Sequence, residues 1–124
     1  MNNKAAAIGA LLCAASIASG AFGAHLIANH VSGERLATWH TASHYLGTQG
    51  LGILLLSLAS PARLLRAIKL ILAGVILFSS ALFLIVLTDI RWFGTVAPIG
   101  GLLMISGWLS AGYTFFRTEP FEKP

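Results

Sequence analysis

The sequence predicts an all-α integral membrane protein: a bundle of four spanning helices with both termini in the cytoplasm. Three observations lead there. Hydrophobic residues make up 56% of the 124 residues and charged residues only 10%, with a mean hydropathy of +0.82, whereas an ordinary soluble domain is about 25% charged. The charges leave four uncharged windows, residues 5–33, 36–62, 70–88 and 92–116, which are 29, 27, 19 and 25 residues long. Each can hold a spanning helix, which needs about 20 mostly apolar residues at about 1.5 Å rise apiece. Finally, the basic residues are uneven across the two faces that four spans create. The face shared by the termini and the middle loop carries Lys4, Arg63, Arg66, Lys69, Arg117 and Lys123, against Arg35 and Arg91 on the other. Basic residues mark the cytoplasmic side. Residues 1–124 therefore read as one transmembrane domain with spans at about 5–28, 40–59, 70–88 and 95–116.

Span one follows Lys4 and ends in small residues at 18–24. That pattern also resembles a secretory signal, but the apolar stretch is long for one, so the span is expected to be retained. Span two can begin outside the bilayer, because Ser32 suits an N-cap and Glu34 favours a first turn. In the loop at 60–69 the basic residues are three apart, so a helical turn puts them on one face toward anionic headgroups. The apolar runs at 53–56 and 82–87 lack the alternation of a barrel strand. Trp39, Tyr45, Trp92 and Phe93 fall near the outer interface and Tyr113 near the inner one, as an aromatic belt would. Pro98-Ile99-Gly100-Gly101 opens span four, where proline is tolerated because early N–H groups lack partners. The glycines behind it allow close helix approach or a kink. A broken, ligand-binding helix is the sharper alternative.

Helices in lipid associate through small residues and hydrogen bonds. The candidate packing positions are Ser16, Gly20 and Ala24 in span one, Ser43, Gly47 and Gly52 in span two, and Gly107 and Ala111 in span four. Gln49, with Thr48, lies deep in span two and is costly to bury, so an interhelical partner is expected.

Few groups in the chain suit catalysis. A lone Cys13 excludes an internal disulfide or a Cys-x-x-Cys pair, and basic residues that cap apolar segments do not form a nucleic-acid face. No carboxylate lies inside a span, as a proton-coupled exporter would require. His25, His30, His40 and His44 gather around the first outer loop. His40 and His44 share a helix face at the spacing of two-histidine metal sites, but Thr41 stands where a zinc hydrolase needs Glu. His25 with His44 is the alternative pair for a haem or metal ion, with His40 beside it. The expected role of all four histidines is nonetheless hydrogen bonding at the membrane boundary, without a cofactor.

Gly20-Ala21-Phe22-Gly23-Ala24-His25, Trp39-x-Thr41-Ala42-x-x-Tyr45, Leu77-Phe78-Ser79 with Leu87-Thr88, Arg91-Trp92-x-Gly94, Pro98-Ile99-Gly100-Gly101 and Gly107-Trp108-Leu109 follow one another in order. With these motifs the chain resembles the YgdD-like family of small bacterial inner-membrane proteins over nearly its whole length. The resemblance implies a four-span inner-membrane protein with no assigned reaction. It makes His25, Tyr45, Arg91, Pro98, Gly100 and Gly101 candidate functional residues, with Gln49 standing where the family usually has histidine and Ser79-Ser80-Ala81 where it usually has Ser-Gly-Ser. The expected function is non-enzymatic: a bilayer-embedded accessory or assembly subunit that forms a homo-oligomer or joins a larger membrane complex. The alternatives are a small oligomeric transporter with a path along Ser16, Ser43, Thr48, Gln49, Ser79 and Ser80, and a histidine-ligated haem or metal protein.

Overall fold

The computed structural model describes residues 3–60 and 62–117; Lys123, counted above, lies outside them. The described chain is helical, with no strand: α1 (Asn3–His25), α2 (Gly33–Ala59), α3 (Leu65–Thr88) and α4 (Ala97–Arg117), with short 3₁₀ turns at Ile27–Asn29 and Arg91–Thr95. Three segments, Asn3–Asn29, Leu65–Thr88 and Arg91–Arg117, are long and apolar enough to cross a bilayer. α2 has the length, at 27 residues, but not the hydropathy. Glu34 and Arg35 occupy its first turn, and His40, Thr41, His44, Thr48 and Gln49 follow.

The helix ends follow local chemistry. Ser32 caps α2, its hydroxyl accepting the Arg35 N–H at 3.2 Å, so the helix begins at Gly33, well ahead of the predicted span. α3 takes Arg66 and Lys69 into its first turns. It ends at Asp89, whose left-handed φ of 57° is one that a short polar side chain tolerates. α4 starts at Ala97 with Pro98 in its first turn, as expected, and runs unbroken to Arg117, so the broken-helix alternative does not hold.

The helices form a folded row, in which α4 also reaches α2 through Trp108. α1 packs on α2, α2 on α3 and α3 on α4, while α1 and α4 share no comparable contact among the described residues. The main core lies in the middle of the row, with Ile53, Leu56, Ile71, Val75 and Met104. A second cluster at the other end joins Ile27, Trp39 and Val86.

Close approach is purchased with missing side chains. A Cβ on Gly50 would lie 2.7 Å from the Leu12 Cβ and 2.9 Å from the Gly9 carbonyl oxygen, and one on Gly47 would lie 2.6 Å from the Ser16 Oγ. The Ser16 hydroxyl donates to the Ser43 carbonyl at 2.7 Å, and the Ser19 and Ser43 hydroxyls pair at 2.8 Å. The contact stripe on α1 is thus Gly9, Leu12, Ser16, Ser19 and Gly23. Gly20 and Ala24, expected to continue from Ser16, do not join it: a Cβ on Gly20 would meet nothing within 4 Å and Ala24 is exposed. At 3.6 residues per turn a strict four-residue repeat drifts around the helix, whereas alternating steps of three and four stay on one face. On the far side of the row, Gly74 and Gly100 lie backbone to backbone, and Gly107 and Ala111 are buried.

Candidate functional site

The chemically distinctive residues divide between the loop end of the row and its middle. At the loop end, His25, His30, His40 and His44 are all exposed. Among the described residues no three His, Cys, Asp or Glu side chains are placed to share a metal ion, and the ring contact of His44 is with its neighbour Tyr45, at 5.8 Å. Trp39, expected in an interfacial belt, is a core residue. It is 6% exposed, stacks edge-on against Phe83 at 4.5 Å, and its indole N–H donates to the Ser19 carbonyl at 2.7 Å.

Arg91 is exposed in its 3₁₀ turn and borders a polar cleft of about 390 Å³ with Glu34, Arg35, Thr38 and Asp89. The ion pair there belongs to Arg35, whose Nε lies 3.9 Å from the Asp89 Oδ1. Its Nη2 donates to the Val86 carbonyl in the last turn of α3. A guanidinium at a helix C-terminus meets the negative end of the helix dipole and a carbonyl without a helical partner. Sequence reasoning missed this clasp. The available signal was that the start of α2 and the end of α3 must lie at the same end of the helices, bringing Arg35 to Asp89.

The middle of the row holds an apolar cleft of about 400 Å³ between α2, α3 and α4. Tyr45 and Gln49 come from α2, Phe78 from α3, and Gly101, Met104 and Trp108 from α4. The Tyr45 and Phe78 rings sit 4.8 Å apart. The Trp108 N–H donates to the Gln49 Oε1 at 2.6 Å, which gives Gln49 its interhelical partner, and the Gln49 amide donates onward to the Thr48 Oγ1 at 3.3 Å. The indole also covers Gly52, where an added Cβ would overlap it. Trp108 therefore acts as a spacer between α2 and α4. Of the site residues expected from sequence, Tyr45, Gln49 and Gly101 come together here. Gly100 instead packs on Gly74 and Phe78, Pro98 is exposed at the helix start, and His25 and Arg91 stand apart. The polar residues suggested for a transport path also separate. Ser16 and Ser43 close the α1/α2 contact, Ser79 donates to the Ala42 carbonyl at 3.0 Å, and Ser80 is exposed.

Residues 19–101 match a family model described as a protein of unknown function, DUF423. The chain belongs to this family. The DUF423 match covers Tyr45, Gln49, Gly100 and Gly101 and stops short of Trp108. Similar proteins named UPF0382 membrane proteins occur in Staphylococcus haemolyticus, at 38% identity over 89% of this chain and 93% of the relative, and in Staphylococcus aureus, at 39% over 82% and 86%. Another from Staphylococcus saprophyticus is 37% identical over 82% of this chain and 88% of its own length. No solved structure matches. The chain is a multi-pass membrane protein of a family whose molecular function is unassigned.

Proposed function

We propose that this DUF423 protein is a four-span, non-enzymatic accessory or assembly subunit of the bacterial inner membrane, with both termini in the cytoplasm. The observation that carries this is the one-sided packing of the outer helices. Leu11 and Ile17 on α1 are 67% and 76% exposed, and Leu102 and Leu109 on α4 are 64% and 69% exposed. Such faces suit lipid or a neighbouring helix. The tight internal contacts, by contrast, rest on glycines and on serine hydroxyls engaged in helix packing.

α2 supplies the fourth span despite its polarity. Its 27 residues reach about 40 Å, and two of its polar side chains are met by other helices, Ser43 by α1 and Gln49 by α4. The basic residues Lys4, Arg63, Arg66, Lys69 and Arg117 then share one face. Within the family, the motifs quoted above support a likeness to the YgdD-like proteins.

Native mass spectrometry of the protein gently released from its own membrane tests the subunit role. A discrete mass containing a second protein or a fixed number of copies is expected; a partner-free monomer overturns it. Reporter fusions after Arg117 and in the loop at residue 31 test the topology, with cytoplasmic and external signals expected respectively.

A further inference from the structure

We infer that the cleft between α2, α3 and α4 binds a lipid-phase ring compound bearing a carbonyl group, of the isoprenoid-quinone class. The inference goes beyond the subunit role and rests on the spanning assignment made with it. The cleft, at about 400 Å³, lies within the range of small-molecule sites, which are mostly apolar with a few convergent polar groups. Its existence is local to one residue. A Cβ on Gly101 would meet nothing within 4 Å, so a side chain there is missing from the cleft rather than from a helix contact, whereas one on Gly100 would lie 2.6 Å from the Phe78 N.

The polar groups of the cleft choose the occupant. Among the described residues no group accepts the Tyr45 hydroxyl, although its ring is held against Phe78 at 4.8 Å. Gln49 receives Trp108 on its oxygen and donates to Thr48, which leaves a second amide N–H. Tyr45 and Gln49, both lining the cleft, thus each keep a hydrogen-bond donor without a partner among the described residues.

Depth narrows the class further. Gln49 falls at the middle of the span over 40–59, and Tyr45 about 6 Å toward its end, deeper than the interfacial belt expected for it from the sequence. Ester carbonyls of glycerolipids sit at the edge of a hydrocarbon core about 30 Å thick, about 15 Å away. A bare acyl chain would leave both donors unmet where water is absent. A planar ring with its own carbonyl and an apolar tail meets the donors and stacks on Tyr45, Phe78 and Trp108.

The full-length protein in phospholipid nanodiscs is titrated with a decyl-substituted benzoquinone while tryptophan fluorescence is recorded. Saturable quenching is expected. It should weaken about 3- to 10-fold in Tyr45→Phe, the loss of one hydrogen bond, and lose its saturable component in Gly101→Leu with helicity and particle size unchanged. Gly101→Ala, a smaller plug, gives an intermediate loss and serves if the leucine variant does not fold. Quenching that stays linear in quinone and equal in wild type and Gly101→Leu overturns the inference, as does a change of oligomeric mass in Gly101→Leu, which would assign the cleft to a helix. The reporter fusions separate the two failures. Linear quenching with the fusions as expected defeats the quinone site alone, whereas two fusions that report the same side leave only two crossings between residue 31 and Arg117 and defeat the spanning assignment of α2 and the depth argument with it.

Discussion

The α1/α2 contact and the α2/α4 contact use the same helix in opposite ways. Against α1, α2 presents Gly47 and Gly50, and its backbone approaches so closely that an added Cβ would overlap Ser16, Leu12 or the Gly9 carbonyl. Against α4, it presents Gly52 to the Trp108 indole, which bridges to Gln49 and holds the helices apart around a cleft. A glycine thus closes a helix pair where it meets the neighbour's backbone or Cβ, as Gly50 meets Gly9 and Leu12. Opposite a tryptophan it becomes a socket.

The largest expected effect tests that difference. Gly50→Leu should lose about 3 kcal/mol of stability, because the new side chain meets backbone that cannot yield, while Gly101→Leu should change it by less than about 0.5 kcal/mol. Denaturation midpoints in mixed micelles would show the gap, and equal losses at the two sites would break the comparison.

Next comes the clasp at the outer end. Arg35→Met removes a charged hydrogen bond to the Val86 carbonyl and should cost about 2 kcal/mol, while Asp89→Asn, which touches only the exposed ion pair, should cost less than about 1 kcal/mol. Hydrogen exchange at the last turn of α3 would report it, with faster exchange in Arg35→Met. Reversal of that order would mean that the ion pair, not the helix cap, holds α2 to α3.

Trp108→Phe keeps most of the spacer but drops its bond to Gln49, for about 1 kcal/mol. In a double-mutant cycle with Gln49→Leu the two losses should couple; strict additivity would show that the bridge does not hold the cleft. Smallest is Ser16→Ala, at about 0.6 kcal/mol, typical of one interhelical hydrogen bond in a membrane protein. A midpoint shift several times larger would put the α1/α2 contact under hydrogen-bond rather than packing control.

Much of the helical layout was legible in the chain. The uncharged windows located four helices, Ser32 marked the true start of α2, and Gln49 was expected to need a partner because an amide at that depth is costly to leave unpaired. Trp39 was misplaced for a definite reason: an interfacial tryptophan and one seated over a glycine are the same letter. The drift from Ser16 to Gly20 was likewise hidden, since a repeat of small residues does not say which of them face a neighbour.

Length, apolar composition and the spacing of charges by themselves determined that this is a helical, multi-pass membrane chain, because backbone in a bilayer must satisfy its own hydrogen bonds and apolar runs of this length do so as helices. Only the tertiary structure decided that the helices stand in a row, that Arg35 rather than Arg91 holds Asp89, and that neighbouring Gly100 and Gly101 have different roles. Those outcomes depend on which residues of distant segments face one another, and an isolated sequence position carries no record of the side chain it will meet.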